Sequence, residues 1–220
     1  IYAGGSGNII NGIETNVTNA IRTGPGNMGN GGAIYIEGTD AIIKNSNFTI
    51  GTADDNGGVI YVEGNNAVIT KSTFNKCSAD KDGGGSIYVK GSNATISYSD
   101  FSQTSVNVDN SARGGAINIQ GDGAAILNCT FDRCTSYEGG VIYISGSDVT
   151  IDGYSCNRSF ANNGGAIYVM GDSVSISNFN ITYTNATEFG GAIYIAGDFA
   201  MINNSNLTRC IAYNKDVGAL

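Results

Sequence analysis

Histidine and tryptophan are absent from this 220-residue chain, proline occurs once, and charged residues make up only 14%. Without histidine no imidazole can serve as base, proton shuttle or metal ligand, which removes the commonest routes to hydrolysis and zinc binding. Five cysteines (Cys77, Cys129, Cys134, Cys156, Cys210) form no Cys-x-x-Cys pair, so no zinc site and no cofactor is expected, and their odd number leaves at least one thiol unpaired within a monomer. No run approaches the roughly 18 apolar residues that a spanning helix needs. The first residues, Ile1 to Gly5, lack the basic start and apolar middle of a signal peptide, so any export signal is expected outside this segment. A formal net charge of −8 repels a phosphate backbone, which argues against a nucleic-acid partner.

What the chain has in abundance is glycine, 33 residues, and it is placed periodically. Gly31-Gly32-Ala33-Ile34-Tyr35-Ile36-Glu37-Gly38 returns as Gly57-Gly58-Val59-Ile60-Tyr61-Val62-Glu63-Gly64, and again from Gly84, Gly114, Gly139, Gly164 and Gly190, at intervals of 26, 27, 30, 25, 25 and 26 residues. A partial copy, Val217-Gly218-Ala219-Leu220, follows. Numbering each copy from its first glycine, positions 4 and 6 are Ile or Val throughout, and position 13 is always isoleucine (Ile43 to Ile202). Position 18 is Phe48, Phe74, Phe101 and Phe131, then Cys156, Ile181 and Leu207, and position 23 is mostly alanine. β-Branched residues in short alternating runs between turn residues predict about three short strands per repeat. One repeat has too little apolar surface to fold alone, and stacking supplies the rest. The expectation is an all-β, right-handed parallel β-helix over residues 1–220 as one domain, of about eight coils of 25–30 residues. At about 4.8 Å per coil that rod is on the order of 40 Å long.

The Gly-Gly-Ala-Ile-Tyr repeat followed by Ser-x-Phe, as in Ser46-Asn47-Phe48 and Ser72-Thr73-Phe74, resembles the right-handed parallel β-helix repeats of methanogen adhesin-like proteins and chlamydial polymorphic outer-membrane proteins. The fourth residue of the chlamydial Phe-x-x-Asn pattern is Gly51, Cys77, Thr104 or Cys134 here. The resemblance spans nearly the whole chain and implies an exported, surface-displayed, adhesive module. Sugar-processing enzymes share the fold, so fold alone does not give function.

Several outward rows are candidates for chemistry or recognition. Position 5 reads Tyr35, Tyr61, Tyr88, Asn118, Tyr143, Tyr168 and Tyr194, with Tyr2 in the same register. Strand alternation sends it outward, which predicts an exposed tyrosine ladder. Three readings are open: stacking between coils, a lateral contact with another protein, or a platform for sugar rings. Position 7 places Glu37 and Glu63 beside Lys90, an acid pair with a base if catalytic and a solvated ladder if not. Asp54-Asp55 reads as a turn, with calcium the alternative. Nine Asn-x-Ser/Thr sequons, at Asn16, Asn47, Asn93, Asn128, Asn157, Asn180, Asn185, Asn203 and Asn206, suggest a glycoprotein. Asn47, Asn180 and Asn206 share outward position 17. Cys77, Cys134 and Cys210 share position 21 in coils too far apart to pair, whereas Cys129, Cys134 and Cys156 lie in adjacent coils and leave room for one disulfide.

Ile1 enters and Leu220 leaves at position 4, and neither end shows a polar cap. Open strand edges suit either a longer repeat protein or subunits stacked head-to-tail into a filament. Together these features predict a non-enzymatic, extracellular or cell-surface structural or adhesin-like module, with homo-oligomers, other surface proteins or glycans as partners. The alternative is a carbohydrate-binding or polysaccharide-degrading β-helix.

Overall fold

A computed structural model of the protein describes residues 1–16, 18–20, 29–107 and 112–214. The closing partial repeat, Val217 to Leu220, lies outside them. The chain winds into a parallel β-solenoid. Its first sheet runs from Tyr2–Ala3 through Ile34–Ile36 to Ile193–Ile195, its second from Ile9–Asn11 to Met201–Asn203, and its third from Glu14–Thr15 to Asn206–Thr208, with eight parallel strands in each. Eight rungs enclose seven complete turns, close to the eight coils expected. A fourth side holds a four-stranded and a three-stranded sheet, joined by isolated bridges through Thr135.

The register is the one the repeat dictates. Ile34 lies over Ile60, Ile60 over Ile87, Ile69 over Ile96 and Phe74 over Phe101. Strands of only three residues point two side chains inward in the first sheet and one in the second and third, so each coil offers the core a few apolar groups and depends on its neighbours. The isoleucines of positions 4, 6 and 13 are almost fully buried from Ile34 to Ile193. Position 11, alanine or valine from Ala41 to Val174, joins the same interior. Burial of each such aliphatic side chain contributes about 1.5–3 kcal/mol.

Inside the third sheet the phenylalanines stack with centroids 5.2, 4.7 and 4.8 Å apart from Phe48 to Phe131. The column then changes position. Cys156 occupies the slot over Phe131, and the ring is supplied by Tyr154 two residues earlier, 5.0 Å from Phe131 and tilted by 36°. Phe179, buried at position 16 of the next coil, keeps the aromatic there. Volume moves within the coil while the interior stays filled, as close packing demands.

Four corners turn the chain, and each uses one left-handed residue. Glycine 1 has φ between 57° and 65° in every full repeat. Positions 10, 15 and 20 have φ between 46° and 69° and are seldom glycine, even Ile50 (56°), Lys76 (54°) and Arg158 (56°) adopting this conformation. An L-residue there costs about 1–2 kcal/mol, held in place by the ladders on either side. Space explains why glycine persists elsewhere. A Cβ on Gly85, second of its pair, would lie 2.2 Å from the Gly115 carbonyl oxygen and 2.5 Å from that of Ser105, whereas one on Gly7, at position 10 of the first coil, meets nothing within 4 Å.

Two substitutions check this account. Gly85→Ala is expected to destabilise by on the order of 3 kcal/mol. Gly7→Asn, matching Asn66 and Asn93 in the same corner, should change stability by less than about 0.5 kcal/mol in urea denaturation.

Candidate functional site

The tyrosine row stacks as its register requires, with centroids 5.8, 5.1 and 5.2 Å apart from Tyr2 through Tyr35 and Tyr61 to Tyr88, and 5.5 and 4.7 Å from Tyr143 through Tyr168 to Tyr194. Its expected exposure is corrected by the structure. Tyr61, Tyr88, Tyr143 and Tyr168 are only 5–8% exposed, Tyr35 and Tyr194 are half-buried, and Tyr2 alone is open, at 67%. Described residues that precede glycine pairs lie beside the row. The Arg113 guanidinium sits 5.2 Å over the Tyr143 ring and ion-pairs with Glu138 at 3.1 Å, while Phe189 lies 6.0 Å from Tyr194. Asn118, which replaces a ring, is fully buried, and its Nδ2 donates to the Asp82 carbonyl at 2.8 Å. Burial pushes the phenol groups of Tyr35, Tyr88 and Tyr168 well up from their ordinary value. Ring faces cover one another within two stacks, Tyr2 to Tyr88 and Tyr143 to Tyr194, which Asn118 separates.

Carboxylates climb beside the row like a stair. The Tyr2 hydroxyl donates to Glu37, that of Tyr35 to Glu63 Oε2 at 2.7 Å, and Lys90 Nζ to Glu63 Oε1 at 3.0 Å. The hydrogen bond from Tyr35, aided by Lys90 and opposed by burial, holds Glu63 below the usual carboxylate range. That is the opposite of what a general acid needs. Asp55 is buried, its carboxylate 2.6 Å from Lys81 Nζ and accepting the Gly29 amide at 2.9 Å, which ties three successive coils together.

The sequons divide by exposure. Asn47, Asn180 and Asn206 point outward on the third sheet, and Asn16, Asn93, Asn128 and Asn203 are also exposed. Asn157 and Asn185 are half-buried, and Asn157 has both amide atoms engaged, donating to Asp132 at 3.0 Å and accepting from Thr182 at 3.2 Å. Asn93 and Asn128 are themselves left-handed corner residues, φ 57° and 51°. A feature the repeat analysis missed is an open polar cleft of about 370 Å³ lined by Glu14, Thr15, Asn16, Asn47 and Thr49. Its only sequence signal is Glu14 at position 17, where neighbouring coils carry Asn47 and Thr73.

All five cysteines are free, so the disulfide left open among Cys129, Cys134 and Cys156 does not form. These three occupy different places in the coil's cross-section. Cys129 sits below Tyr154, Cys156 lies over Phe131, and Cys134 is just past the corner at position 20, accepting from Thr104 at 3.3 Å. Burial pushes the thiols of Cys129 and Cys134 up to about 11 and that of Cys156 to about 12, and raises Cys77.

Comparison of the chain with protein-family models, curated proteins and solved structures found no match. The fold is therefore a parallel β-solenoid on its own geometry, and the adhesin-like resemblance rests on the repeat residues.

Two measurements follow from the site. Iodoacetamide at pH 8 should modify half-buried Cys210 in the native protein and reach the four buried thiols only on unfolding, with no disulfide-linked peptide in a non-reducing digest. Glu63→Gln should cost about 1 kcal/mol at pH 7, the partial exposure of the site reducing the full value of a charged hydrogen bond. A depressed carboxylate stabilises the fold above its unfolded value of about 4.3 and loses that contribution as pH falls through the lower folded value. Urea midpoints of Glu63→Gln and the parent protein should therefore differ at pH 7 and converge as the pH falls through the depressed folded value.

Proposed function

We propose that this chain is a structural, adhesin-like solenoid, a rigid module displayed at a cell exterior rather than an enzyme. The observation that carries this reading is that the outward rows are engaged with themselves along the rod. Tyrosine stacks on tyrosine, Glu63 is held by Tyr35 and Lys90, and on the third sheet Thr73 donates to Asn47, Ser102 to Asn75 and Asn206 to Asn180. Such cross-coil ladders stiffen a rod. They leave the carboxylates best placed for acid–base work already committed.

A surface location accords with seven exposed sequons, three of them in one row. Head-to-tail stacking or continuation into further coils would cover the last described rung, where the inward residues Ile195, Ile202 and Leu207 are only partly buried. A carbohydrate-binding reading has one specific support, the polar cleft at Glu14, Asn16 and Asn47.

The test is made on native material. Antibodies to the chain should label intact cells from outside, glycopeptide mapping should find glycans at Asn47, Asn180 and Asn206, and incubation with uronate or neutral polysaccharides should release no reducing ends. Release that is abolished by Glu37→Gln or Glu63→Gln would replace the structural reading with the enzymatic one.

A further inference from the structure

The left-handed corners sort charge. Around the coil the order is the glycine corner, the first sheet, the corner at positions 9–10, the second sheet, the corner at 15, the third sheet, the corner at 20, and the fourth side. Corners 10 and 20 are thus diagonal neighbours, with two sheets between them in either direction. The first carries Asp40, Asp122, Asp148, Asp172 and Asp198, all exposed. Among the described residues no cation pairs with any of these five. The diagonal corner carries Lys76, Arg133, Arg158 and Arg209, also exposed, with Lys71 on the adjoining corner. Asp132 is shared by Arg133 at 2.8 Å and Arg158 at 3.0 Å, so two cations there answer to one acid. Arg209 lies 5.1 Å over the Tyr183 ring.

Both rows inherit the same repeat along the axis, about 4.8 Å per coil, because both are built from residues one turn apart. The basic row is left-handed throughout, whereas the acidic row combines left-handed Asp40 and Asp148 with Asp122, Asp172 and Asp198 one residue before the left-handed position; all are exposed, so each row stands at an edge of the rod. Rows of opposite charge, equal period and opposite placement are complementary under sideways translation.

We propose that rods of this chain associate side by side, the basic corner row of one copy docking on the acidic corner row of the next. In register, Arg133 meets Asp122, Arg158 meets Asp148 and Arg209 meets Asp198 of the second copy. A one-rung offset also joins three pairs, Lys76 with Asp40, Arg158 with Asp122 and Arg209 with Asp172. Each copy uses a different edge to give and to receive, so the contact is heterologous and does not close, producing rafts of parallel rods. Single exposed ion pairs are weak, and the contact gains its strength by repetition along the rod. Asn157, next to Arg158 and with both amide atoms engaged, is the sequon least available for a glycan that would block this edge. The proposal rests on the structural reading but fails separately from it. A rod that is displayed at the cell surface yet never associates sideways would retain that function and lose this contact.

Sedimentation velocity of the unglycosylated 220-residue chain tests it. Association is expected at about 20 mM NaCl and should weaken at least tenfold by about 500 mM, where the screening length is only a few ångströms. The doubles Arg133→Glu/Arg158→Glu and Asp122→Lys/Asp148→Lys, on exposed corners and checked for parental circular dichroism, should each remain monomeric alone and associate when mixed. Association that ignores salt, self-association of either double equal to the parent's, or failure of the mixture to recover overturns the proposal. A chain that stays monomeric at low salt yet binds heparin through Arg133 and Arg158 also overturns it, in favour of an anionic polymer as the occupant.

Discussion

Every feature of this protein depends on one constraint: each short strand finds its hydrogen-bonding partners one turn above and one turn below. A three-residue strand has no stability of its own, and a coil has no core of its own. Register is therefore decided by neighbours, and a slip by one residue would turn Ile34 and Ile36 outward and Tyr35 inward at a single stroke. Identical positions hold similar residues because each is packed against its own counterpart. The same coupling lets Ile50, Tyr98 and Tyr183 remain in a left-handed conformation that none would choose alone. Ladders on both sides of each corner leave the backbone no other path.

That dependence also explains which parts were legible in the sequence. The inward isoleucine rows, the phenylalanine column and the order of sheets follow from repetition, since residues that recur at fixed spacing in a stacked coil must lie in columns. Outward orientation at position 5 was legible too, but burial was not. Residues that precede glycine pairs, Arg113 over Tyr143 and Phe189 beside Tyr194, lie against the rings, and the segments they belong to repeat in neither length nor composition. The corners escaped notice for the converse reason. Their conformation repeats while their residues vary from Asn and Lys to Tyr and Ile, so no residue type announces the left-handed backbone.

The cysteines and the displaced aromatic share a further lesson. Adjacent coils bring residues close only when their positions within the coil agree. Cys129 and Cys156 are two positions apart in the repeat, and that offset places Tyr154 and Phe131, rather than each other, as their neighbours. The exchange of Phe131 for Tyr154 in the aromatic column shows the complementary freedom. Side-chain volume can pass between two inward positions of one coil, because the interior constrains total filling more tightly than the identity of each site.

Stacking also settles where such a rod can meet anything else. On the faces, a side chain's nearest neighbour is its counterpart 4.8 Å away along the axis, and tyrosines, threonines and asparagines pair there before any outside group reaches them. Corners differ. A left-handed residue turns its side chain away from both adjoining sheets, so lysine, arginine or aspartate placed at a corner stays solvated while still being drawn into line by the repeat. The glycine corner cannot take part, since a side chain there would strike the carbonyl of position 4, 2.0–2.3 Å away. The remaining corners are where surface chemistry can vary without disturbing the core, and in this chain aspartate has gathered at one and arginine at its diagonal. A structure made by repetition along one axis thereby acquires distinct sides, although no single coil contains a site.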